Sequence, residues 1–273
     1  MSEFRYFPSF KTWFSVIIIL ETLLIKCWLK TRMSWNITDC RELEDAIFGL
    51  KLRLAREIGV CRGMTVVDMG CGQGGFTDSV AKTVREGGRV LAVDVSDEYL
   101  TEFEEHLAKY GVKSLVTFIQ ADASVLEGVI PDEVADMVVS YRFLEELIQP
   151  EAMATIVRQM AQIVKRAGKV CIIELSAETR NEAEETYVRL HRESGDSFFE
   201  PEVIMEAMEA TGLKRVSVEK FKTDIWFSPK VAKQDLEFAQ VWFDAEVEKN
   251  LGQLIDKYGM KYPPLLIFSG VKE

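Results

Sequence analysis

The sequence contains few histidines and cysteines and too little basic charge for a nucleic-acid partner. It has two histidines and five cysteines among 273 residues, and the cysteines follow no regular spacing. Cys71 and Cys171 lie in a glycine-rich segment and in an apolar run, so neither is placed to form a disulfide, and the set suits a reducing cytosol. The formal net charge of -11 argues against a nucleic-acid partner, which would need a basic face. We therefore predict a cytoplasmic protein with no metal site and no nucleic-acid partner.

A membrane-spanning run is also missing, although residues 13–29 come close to one. A spanning helix needs about 20 apolar residues, and this run is shorter and is interrupted by Glu21 and Lys26. Three interpretations of residues 1–32 stay open. They form a membrane-associated helix that contacts the bilayer through residues 13–29, or an apolar helix packed on the domain or a partner, or an upstream extension absent from the natural protein, because Met33 could begin the chain.

Residues 33–273 have the composition and patterning of one large domain. The chain is 48% hydrophobic, which at this length allows one full core rather than two. No internal repeat and no low-complexity linker divides it. Short apolar runs alternate with segments of helical periodicity, which is typical of a sheet covered by helices.

The most informative segment is a glycine-rich turn between a strand and a helix. Apolar residues lead to Asp68, and glycines follow at positions 70, 72, 74 and 75. Glycine permits a positive φ and leaves the backbone bare beside a ligand, and the helix after the turn points its free N–H groups at that ligand. The spacing Gly70-x-Gly72-x-x-Gly75 fits a dinucleotide fingerprint. The spacing Asp68-x-Gly70-x-Gly72-x-Gly74 resembles the first motif of class I S-adenosylmethionine (SAM) dependent methyltransferases, and the glycines alone do not decide between the two ligands.

Two further acidic residues end apolar strands. Asp94 follows the run 90–93, where a carboxylate can accept hydrogen bonds from both ribose hydroxyls, which NAD and SAM share. Asp122 lies in the predicted strand 116–123 and matches the acid that, in the methyltransferase family, accepts a hydrogen bond from the adenine amino group. Each acid lies at the carboxyl end of its strand, where open α/β sheets bind ligands. The alternative is that these residues only cap turns and helices.

The order of the elements extends the resemblance to class I SAM-dependent methyltransferases over residues 36–273. After the third strand the sequence predicts strands at 136–140, 169–174, 215–222 and 265–271. The resemblance implies an α/β fold with a Rossmann-like, seven-stranded, mostly parallel sheet, an antiparallel last strand, helices on both faces, and helical lid segments at 176–200 and 226–263. It also implies SAM as the cofactor, bound by these residues: Asp68, Gly70, Cys71, Gly72, Gln73, Gly74, Asp94, Val95, Asp122, Ala123 and Ser140.

The reaction implied by the resemblance is methyl transfer to a small-molecule acceptor by in-line displacement. Such a reaction needs alignment and a dry pocket more than side-chain chemistry, and a base only where the acceptor arrives protonated. The catalytic candidates are His191 and Tyr141, with Glu145 and Glu174 as further possible bases. No Asn-Pro-Pro-Tyr type segment follows the fourth strand, so the usual signature of enzymes that methylate the exocyclic amines of bases is missing.

Three alternatives stay open: a protein methyltransferase, a nicotinamide-dependent oxidoreductase, and a catalytically silent SAM-binding domain. The lid segments and the acidic composition favour a small-molecule acceptor. A dehydrogenase of this length would be expected to carry a separate substrate domain. The sequence predicts neither the acceptor atom nor the oligomeric state.

Overall fold

The structure, a computed structural model, describes residues 37–147, 150–239 and 245–273. The predicted extension at 1–32, with its apolar run, lies outside these ranges. Within them, no helix is both long enough and apolar enough to cross a membrane.

Helices and strands alternate along most of the described chain. The described helices are α1 (Ile37–Glu57), α2 (Thr77–Val84), α3 (Leu100–Lys109), α4 (Met153–Ile163), α5 (Glu182–Glu193), α6 (Pro201–Ala210), α7 (Pro229–Ala239) and α8 (Ala245–Tyr258). The strands are β1 (Thr65–Met69), β2 (Arg89–Asp94), β3 (Val116–Gln120), β4 (Ala135–Tyr141), β5 (Val164–Leu175), β6 (Lys214–Phe221), β7 (Trp226–Phe227), β8 (Met260–Lys261) and β9 (Leu265–Val271). A short 3-10 turn, Leu144–Glu146, follows β4.

Seven of these strands form one sheet in the order β3-β2-β1-β4-β5-β9-β6. The pairs β1 with β2, β1 with β4, β2 with β3 and β4 with β5 are parallel, and β9 lies antiparallel between β5 and β6. This confirms the predicted seven-stranded, mostly parallel sheet with an antiparallel last strand. The strand order reverses between β1 and β4, and open α/β sheets bind ligands at the carboxyl ends of the strands beside such a switch point.

The sheet is buried on both faces, which explains why its central strands are almost entirely apolar. In β1, Val66 packs into the core on one face of the sheet, whereas Val67 and Met69 pack into the core on the other face. Successive side chains of a strand point to opposite faces, and all three are fully buried. A strand that is apolar on both faces belongs in the interior of a parallel sheet. The carboxyl end of β1 is thereby held between the ends of β2 and β4.

Two strand boundaries differ from the predictions. The third strand ends at Gln120, so Asp122 lies in the loop that follows rather than in the strand. The fifth strand begins at Val164, ahead of the predicted start at residue 169, directly after α4. Val164 pairs with Ala135 of β4, and a register shift separates this pair from the pair of Lys169 and Met137. Gly168 lies within the shifted stretch, where a Cβ would lie 2.9 Å from the carbonyl oxygen of Asp136. The chain therefore runs close to β4 before the predicted stretch begins.

Both predicted lid segments contain helices, and the two segments pack against each other. In the first segment, α5 begins after Asn181, whose side chain accepts hydrogen bonds from the N–H groups of Ala183 (3.2 Å) and Glu184 (3.0 Å), an N-cap. The second segment contains α7 and α8, and a two-stranded ribbon of β7 and β8 joins its ends. Helix α5 contacts both β8 and α8. Sequence reasoning did not predict the ribbon, because two-residue strands carry no periodic pattern.

Candidate functional site

The turn between β1 and α2 needs glycine at three positions. Gly70, Gly72 and Gly74 have φ values of 71°, 49° and 81°, a left-handed region that glycine enters without strain. Space is equally restrictive, because a Cβ on Gly70 would overlap the ring of Phe143 and a Cβ on Gly74 would lie 2.7 Å from Cδ2 of Phe103. The glycine turn therefore presents bare backbone at the carboxyl end of β1.

Asp94 lies beside this turn, at the end of β2. Its Oδ2 accepts a hydrogen bond of 2.8 Å from the Gly72 N–H, and its Oδ1 accepts one of 3.1 Å from the Ser96 N–H. Burial raises the pKa of the Asp94 carboxyl group, and these N–H donors oppose the shift. A carboxylate oxygen can accept two hydrogen bonds, so each oxygen keeps a lone pair for a ligand hydroxyl. The next residue, Val95, is 68% exposed and offers an apolar surface.

Asp68 and Cys71 lie beneath the glycine turn rather than at its surface. Asp68 is buried, and its Oδ2 accepts a hydrogen bond of 2.6 Å from the Thr77 hydroxyl at the start of α2. Burial raises the pKa of Asp68 to about 7. Burial also raises the pKa of the Cys71 thiol, and a protonated thiol is a poor nucleophile. In the structure Asp68 thus joins β1 to α2, and the predicted cofactor contacts of both residues stay predictions.

The loop after β3 brings Asp122 close to Asp94. The Ala121 N–H donates a hydrogen bond of 2.8 Å to the carbonyl oxygen of Asp94. The Asp122 Oδ1 accepts hydrogen bonds from the N–H and the hydroxyl of Ser124, at 2.8 and 2.7 Å, which is an Asx turn, and Ala123 is buried beside it. The two acids predicted to bind an adenosine therefore lie on adjacent loops at one edge of the sheet.

A second group of polar side chains surrounds Arg142, directly after β4. The φ of Arg142 is 53°, a strained value for a residue with a side chain. Its Nε donates a hydrogen bond of 2.7 Å to Glu145 Oε1, and its Nη1 lies 3.4 Å from the hydroxyl oxygens of Tyr187 and Tyr262. The Tyr262 and Tyr141 hydroxyls are 3.0 Å apart. The Arg142 cluster, as it is called below, consists of these residues: Tyr141, Arg142, Glu145, Tyr187, His191, Asp196 and Tyr262.

His191 and Asp196 form a hydrogen-bonded pair within the Arg142 cluster. His191 Nδ1 lies 2.7 Å from Asp196 Oδ2, and Arg142 Nη2 lies 3.4 Å from the same nitrogen. The guanidinium can only donate and the Asp196 carboxylate can only accept. Because the carboxylate is the closer neighbour, we assign the hydrogen to Nδ1, and the neutral ring then carries its lone pair on Nε2.

The two glutamates predicted as further bases have different surroundings. Glu174, in β5, accepts hydrogen bonds from the N–H groups of Leu144 (2.9 Å) and Glu145 (3.3 Å), so both of its oxygens hold the 3-10 turn. Glu145 engages Arg142 through Oε1, and among the described residues its buried Oε2 has no hydrogen-bond partner. Burial raises the pKa of both carboxyl groups. Glu174 therefore supports the backbone, whereas Glu145 keeps an acceptor for a ligand.

The Arg142 cluster adjoins the glycine turn. Tyr141 stacks on Phe76, with ring centroids 4.9 Å apart, and Phe76 directly precedes α2. Phe143, the residue after Arg142 in the chain, packs its ring against Gly70. A ligand at the glycine turn and a ligand at the Arg142 cluster would lie side by side. The structure brings all four predicted base candidates into this region, namely Tyr141, Glu145, Glu174 and His191, and their chemical roles stay predictions.

Residues 66–168 match the family model of a methyltransferase domain. The matched span begins in β1, ends in β5, and includes the glycine turn, Asp94 and Asp122. This span is a class I SAM-dependent methyltransferase domain. The resemblance indicated by the motifs is thereby confirmed for this part of the chain.

The methyltransferase domain has relatives among curated proteins and solved structures. UbiE of Salmonella arizonae, a ubiquinone/menaquinone biosynthesis C-methyltransferase, is 31% identical over 118 residues, which cover 43% of this chain and 45% of the relative. The chain thus spans less than half the length of the curated relatives it matches. A cyclopropane-fatty-acyl-phospholipid synthase-like protein from Lactobacillus casei has a TM-score of 0.68 at 15% identity, over 85% of this chain and 93% of that protein. Phosphoethanolamine N-methyltransferase 2 from Haemonchus contortus, in complex with phosphomonomethylethanolamine and S-adenosylhomocysteine, has a TM-score of 0.60 at 17% identity, over 98% of this chain and 61% of that protein. These two likenesses show a shared fold.

SAM is the cofactor of class I methyltransferase domains, and the residues around the glycine turn fit it. Asp94 has a lone pair on each oxygen that could accept from two ribose hydroxyls, and the exposed Val95 could offer an apolar contact to an adenine ring. Ser140, in register with Met69 at the end of β1, is buried, and its Oγ has no hydrogen-bond partner within the described ranges. Gln73, in the glycine turn, is also buried. A ligand at this edge would therefore meet both bare backbone and the Ser140 hydroxyl.

Sequence reasoning missed Lys51, which reaches the glycine turn from α1. Its Nζ lies 2.9 Å from the position that a Cβ on Gly75 would occupy, and 5.4 Å from the ring centroid of Tyr141. Lys51 shares a helical face with Ile47 and Leu54, because residues three and four apart lie on one side of a helix. A lysine in an apolar stripe is the signal that could have identified it. Arg142 and Asp196 were missed as well, and no short motif connects them.

Proposed function

We propose that the protein transfers a methyl group from SAM to a small-molecule acceptor by in-line displacement. One observation carries the proposal. The Asp94 carboxylate is held by the Gly72 N–H beside the switch point of the sheet, inside the span that matches methyltransferase domains. The Arg142 cluster, next to the same turn, is the proposed acceptor site.

In this proposal the protein supplies alignment, a dry site and a base. SAM, when bound, carries a methyl group on a positively charged sulfur that an aligned lone pair can displace. Asp94 orients the ribose through both oxygens, and Tyr141 and Phe143 lie where the glycine turn meets the rest of the Arg142 cluster. His191 is the proposed base. Asp196 accepts a hydrogen bond from Nδ1 and so keeps the hydrogen on that nitrogen, which leaves Nε2 to accept a proton from the acceptor.

The lid segments support a small acceptor rather than a protein. Tyr187 and His191 come from α5, and Tyr262 follows β8. The ring centroid of Tyr187 lies 4.6 Å from that of His191 and 5.1 Å from that of Tyr262. Aromatic walls around a few convergent polar groups are typical of small-molecule sites. The name of the UbiE relative, a C-methyltransferase of ubiquinone and menaquinone biosynthesis, supports the same class of acceptor.

Calorimetry with SAM, S-adenosylhomocysteine and NAD tests the cofactor. We expect micromolar-range binding of SAM and S-adenosylhomocysteine and no binding of NAD, because Asp122 and the sheet topology match the methyltransferase pattern. NAD binding without SAM binding would contradict the proposal and favour the oxidoreductase. A cell extract incubated with methyl-labelled SAM then tests the acceptor. Label in the small-molecule fraction supports the proposal, and label confined to protein would favour a protein methyltransferase.

A further inference from the structure

We propose that the methyl acceptor is an amine, which binds as an ammonium ion between Glu145 and Asp196 and is deprotonated by His191. The inference rests on the proposed methyltransferase function and specifies its substrate class. It depends on three features of this region: two buried oxygens without partners, the position of their carboxyl groups on one edge of a guanidinium, and the presence of one arginine beside three buried carboxyl groups.

Two carboxylate oxygens in the Arg142 cluster lack a hydrogen-bond donor. They are Glu145 Oε2 and Asp196 Oδ1, which have no partner within the described residues although both side chains are 1% exposed. A buried acceptor left unpaired costs about 1–3 kcal/mol, and more when it is charged. Native proteins keep few such groups, and those they keep call for a functional explanation. A ligand with hydrogen-bond donors would satisfy both oxygens.

The two carboxylates lie along the same edge of the Arg142 guanidinium. Glu145 Oε1 accepts from Arg142 Nε at 2.7 Å, and Asp196 Oδ2 lies 3.9 Å from Arg142 Nη2. Nε and Nη2 form the same edge of the guanidinium plane, so both carboxylates face that edge. The Ser197 N–H also donates a hydrogen bond of 2.8 Å to the carbonyl oxygen of Glu145. The loop that carries Asp196 is thereby attached to the turn that carries Glu145.

The charge of the cluster favours a cation over an anion. Glu145, Glu174 and Asp196 are all buried in this region. Among the described residues, Arg142 is the one lysine or arginine paired with Glu145 or Asp196, and Glu174 is bonded to backbone N–H groups. Burial raises the pKa of Glu145 and Glu174; a bound cation would favour their ionised forms, whereas a carboxylate or phosphate would disfavour them further. The Tyr187 and Tyr262 rings beside the cluster add faces that attract cations.

The chemical step is balanced by groups already present. The ammonium gives one proton to His191 Nε2, while the hydrogen on Nδ1 stays on the ring and keeps its hydrogen bond to Asp196. The free lone pair of the amine then forms the new N–C bond as the C–S bond of SAM breaks. The bonding electrons leave with sulfur, which becomes neutral S-adenosylhomocysteine, and the product is the methylated ammonium ion. The proton on His191 passes to water when the products leave.

The test uses the full chain and two sets of probes. Calorimetry on the protein loaded with S-adenosylhomocysteine compares the amines benzylamine, dimethylamine and ethanolamine with the neutral probes benzyl alcohol and phenol. A parallel assay follows labelled methyl transfer from SAM to the same compounds. We expect the best amine to bind at least tenfold more tightly than the matched neutral probes and to take the label. Asp196→Asn and Glu145→Gln should each weaken amine binding tenfold or more, with SAM affinity within twofold of the wild type.

Glu193→Gln is the matched control, because it removes a carboxylate from the surface of α5, where the side chain is 37% exposed. It should leave amine binding unchanged. If no amine binds, if the label goes to phenol or benzyl alcohol instead, or if the two variants bind amines as the wild type does, the inference is wrong while the methyltransferase function stands. Failure to bind SAM contradicts the proposed function and the inference with it. Should Asp196→Asn lose its thermal transition, Glu145→Gln decides, since its amide oxygen can still accept from Arg142.

Discussion

Asp94 accepts hydrogen bonds from two backbone N–H groups and, in our proposal, from the ribose of SAM. Stability and SAM affinity measure these two roles separately. Asp94→Ala should weaken SAM binding at least tenfold, because a hydrogen bond to a charged group contributes about 1.5–3 kcal/mol. It should also lower the free energy of unfolding by about 1–3 kcal/mol, since the N–H groups of Gly72 and Ser96 lose their acceptor. Calorimetry and urea unfolding measure the two effects. Asp97→Ala, an exposed carboxylate in the same loop, should change neither, and an unchanged Kd in Asp94→Ala would leave Asp94 as a turn residue only.

Asp68 should make the ligand-free protein less stable as the pH rises towards neutrality. Burial raises the pKa of Asp68 from 3.8 to about 7, so the folded protein keeps a proton that the unfolded chain releases. The contribution of the protonated group to stability is fully present below the unfolded pKa and is lost as the pH rises to the folded pKa. The loss amounts to about 4 kcal/mol, at roughly 1.36 kcal/mol for each pKa unit.

Asp68→Asn tests this pH dependence, because an amide cannot ionise. Urea unfolding of the wild type and the variant at pH 5 and pH 8 gives the difference in free energy of unfolding at each pH. We expect the free energy of unfolding of the variant, measured relative to that of the wild type, to be higher at pH 8 than at pH 5. A difference that is the same at both pH values would show that Asp68 ionises alike in the folded and unfolded chains.

Among the elements, the glycine turn depends on backbone conformation and on space, and two substitutions separate these requirements. Gly70 and Gly63 have positive φ values of 71° and 86°, so alanine strains the backbone at both. Only at Gly70 would the new Cβ overlap a neighbour, the Phe143 ring, because nothing lies within 4 Å of that position at Gly63. Gly70→Ala should therefore lose about 1–3 kcal/mol more stability than Gly63→Ala, and it should also weaken SAM binding.

Thermal unfolding and calorimetry on both glycine variants measure these effects. Gly70→Ala should cost less stability in a Phe143→Ala background than in the wild type, because the overlapping ring is then absent. Equal losses in Gly70→Ala and Gly63→Ala would show that the ring moves aside at little cost.

Elements with a strong local pattern were predictable, and elements defined by distant contacts were not. The central strands could be predicted because a run that is apolar on both faces suits the interior of a parallel sheet. The ribbon of β7 and β8 has two residues per strand, and its pairing depends on α7 and α8 bringing its strands together. The early start of β5 comes from the pairing of Val164 with Ala135 across a register shift, which the sequence pattern does not contain.

For the whole molecule, residues 1–32 are predicted to be dispensable for cofactor binding. The residues that form the glycine turn, the Asp94 loop and the Arg142 cluster all lie after position 37. A protein that begins at Met33 should unfold cooperatively and bind SAM with the Kd of the full chain, as measured by thermal unfolding and calorimetry. Weaker SAM binding by the shortened protein would contradict this prediction.

The same pair of proteins separates the interpretations of residues 13–29. Co-sedimentation with phospholipid vesicles by the full chain, and not by the protein that begins at Met33, would support a membrane-associated helix. Aggregation of the shortened protein at low temperature would support a helix packed on the domain. Equal behaviour in both assays would favour an extension that the fold does not use.

The sequence by itself determined the sheet and the edge of the sheet where a cofactor would bind. Each of these strands could be recognised from a local pattern, an apolar run that leads into glycines or ends near an acid. Because parallel strands place their carboxyl ends at one edge of the sheet, the same pattern also located the cofactor edge. Only the tertiary structure decided that Arg142 meets His191 and Tyr262, which are 49 and 120 residues away along the chain. It also decided that Glu174 supports a turn while Glu145 keeps an unpaired oxygen. These differences arise from how β4, α5 and the segment after β8 pack together, because the hydrogen-bond partners of a buried carboxylate come from whichever elements surround it.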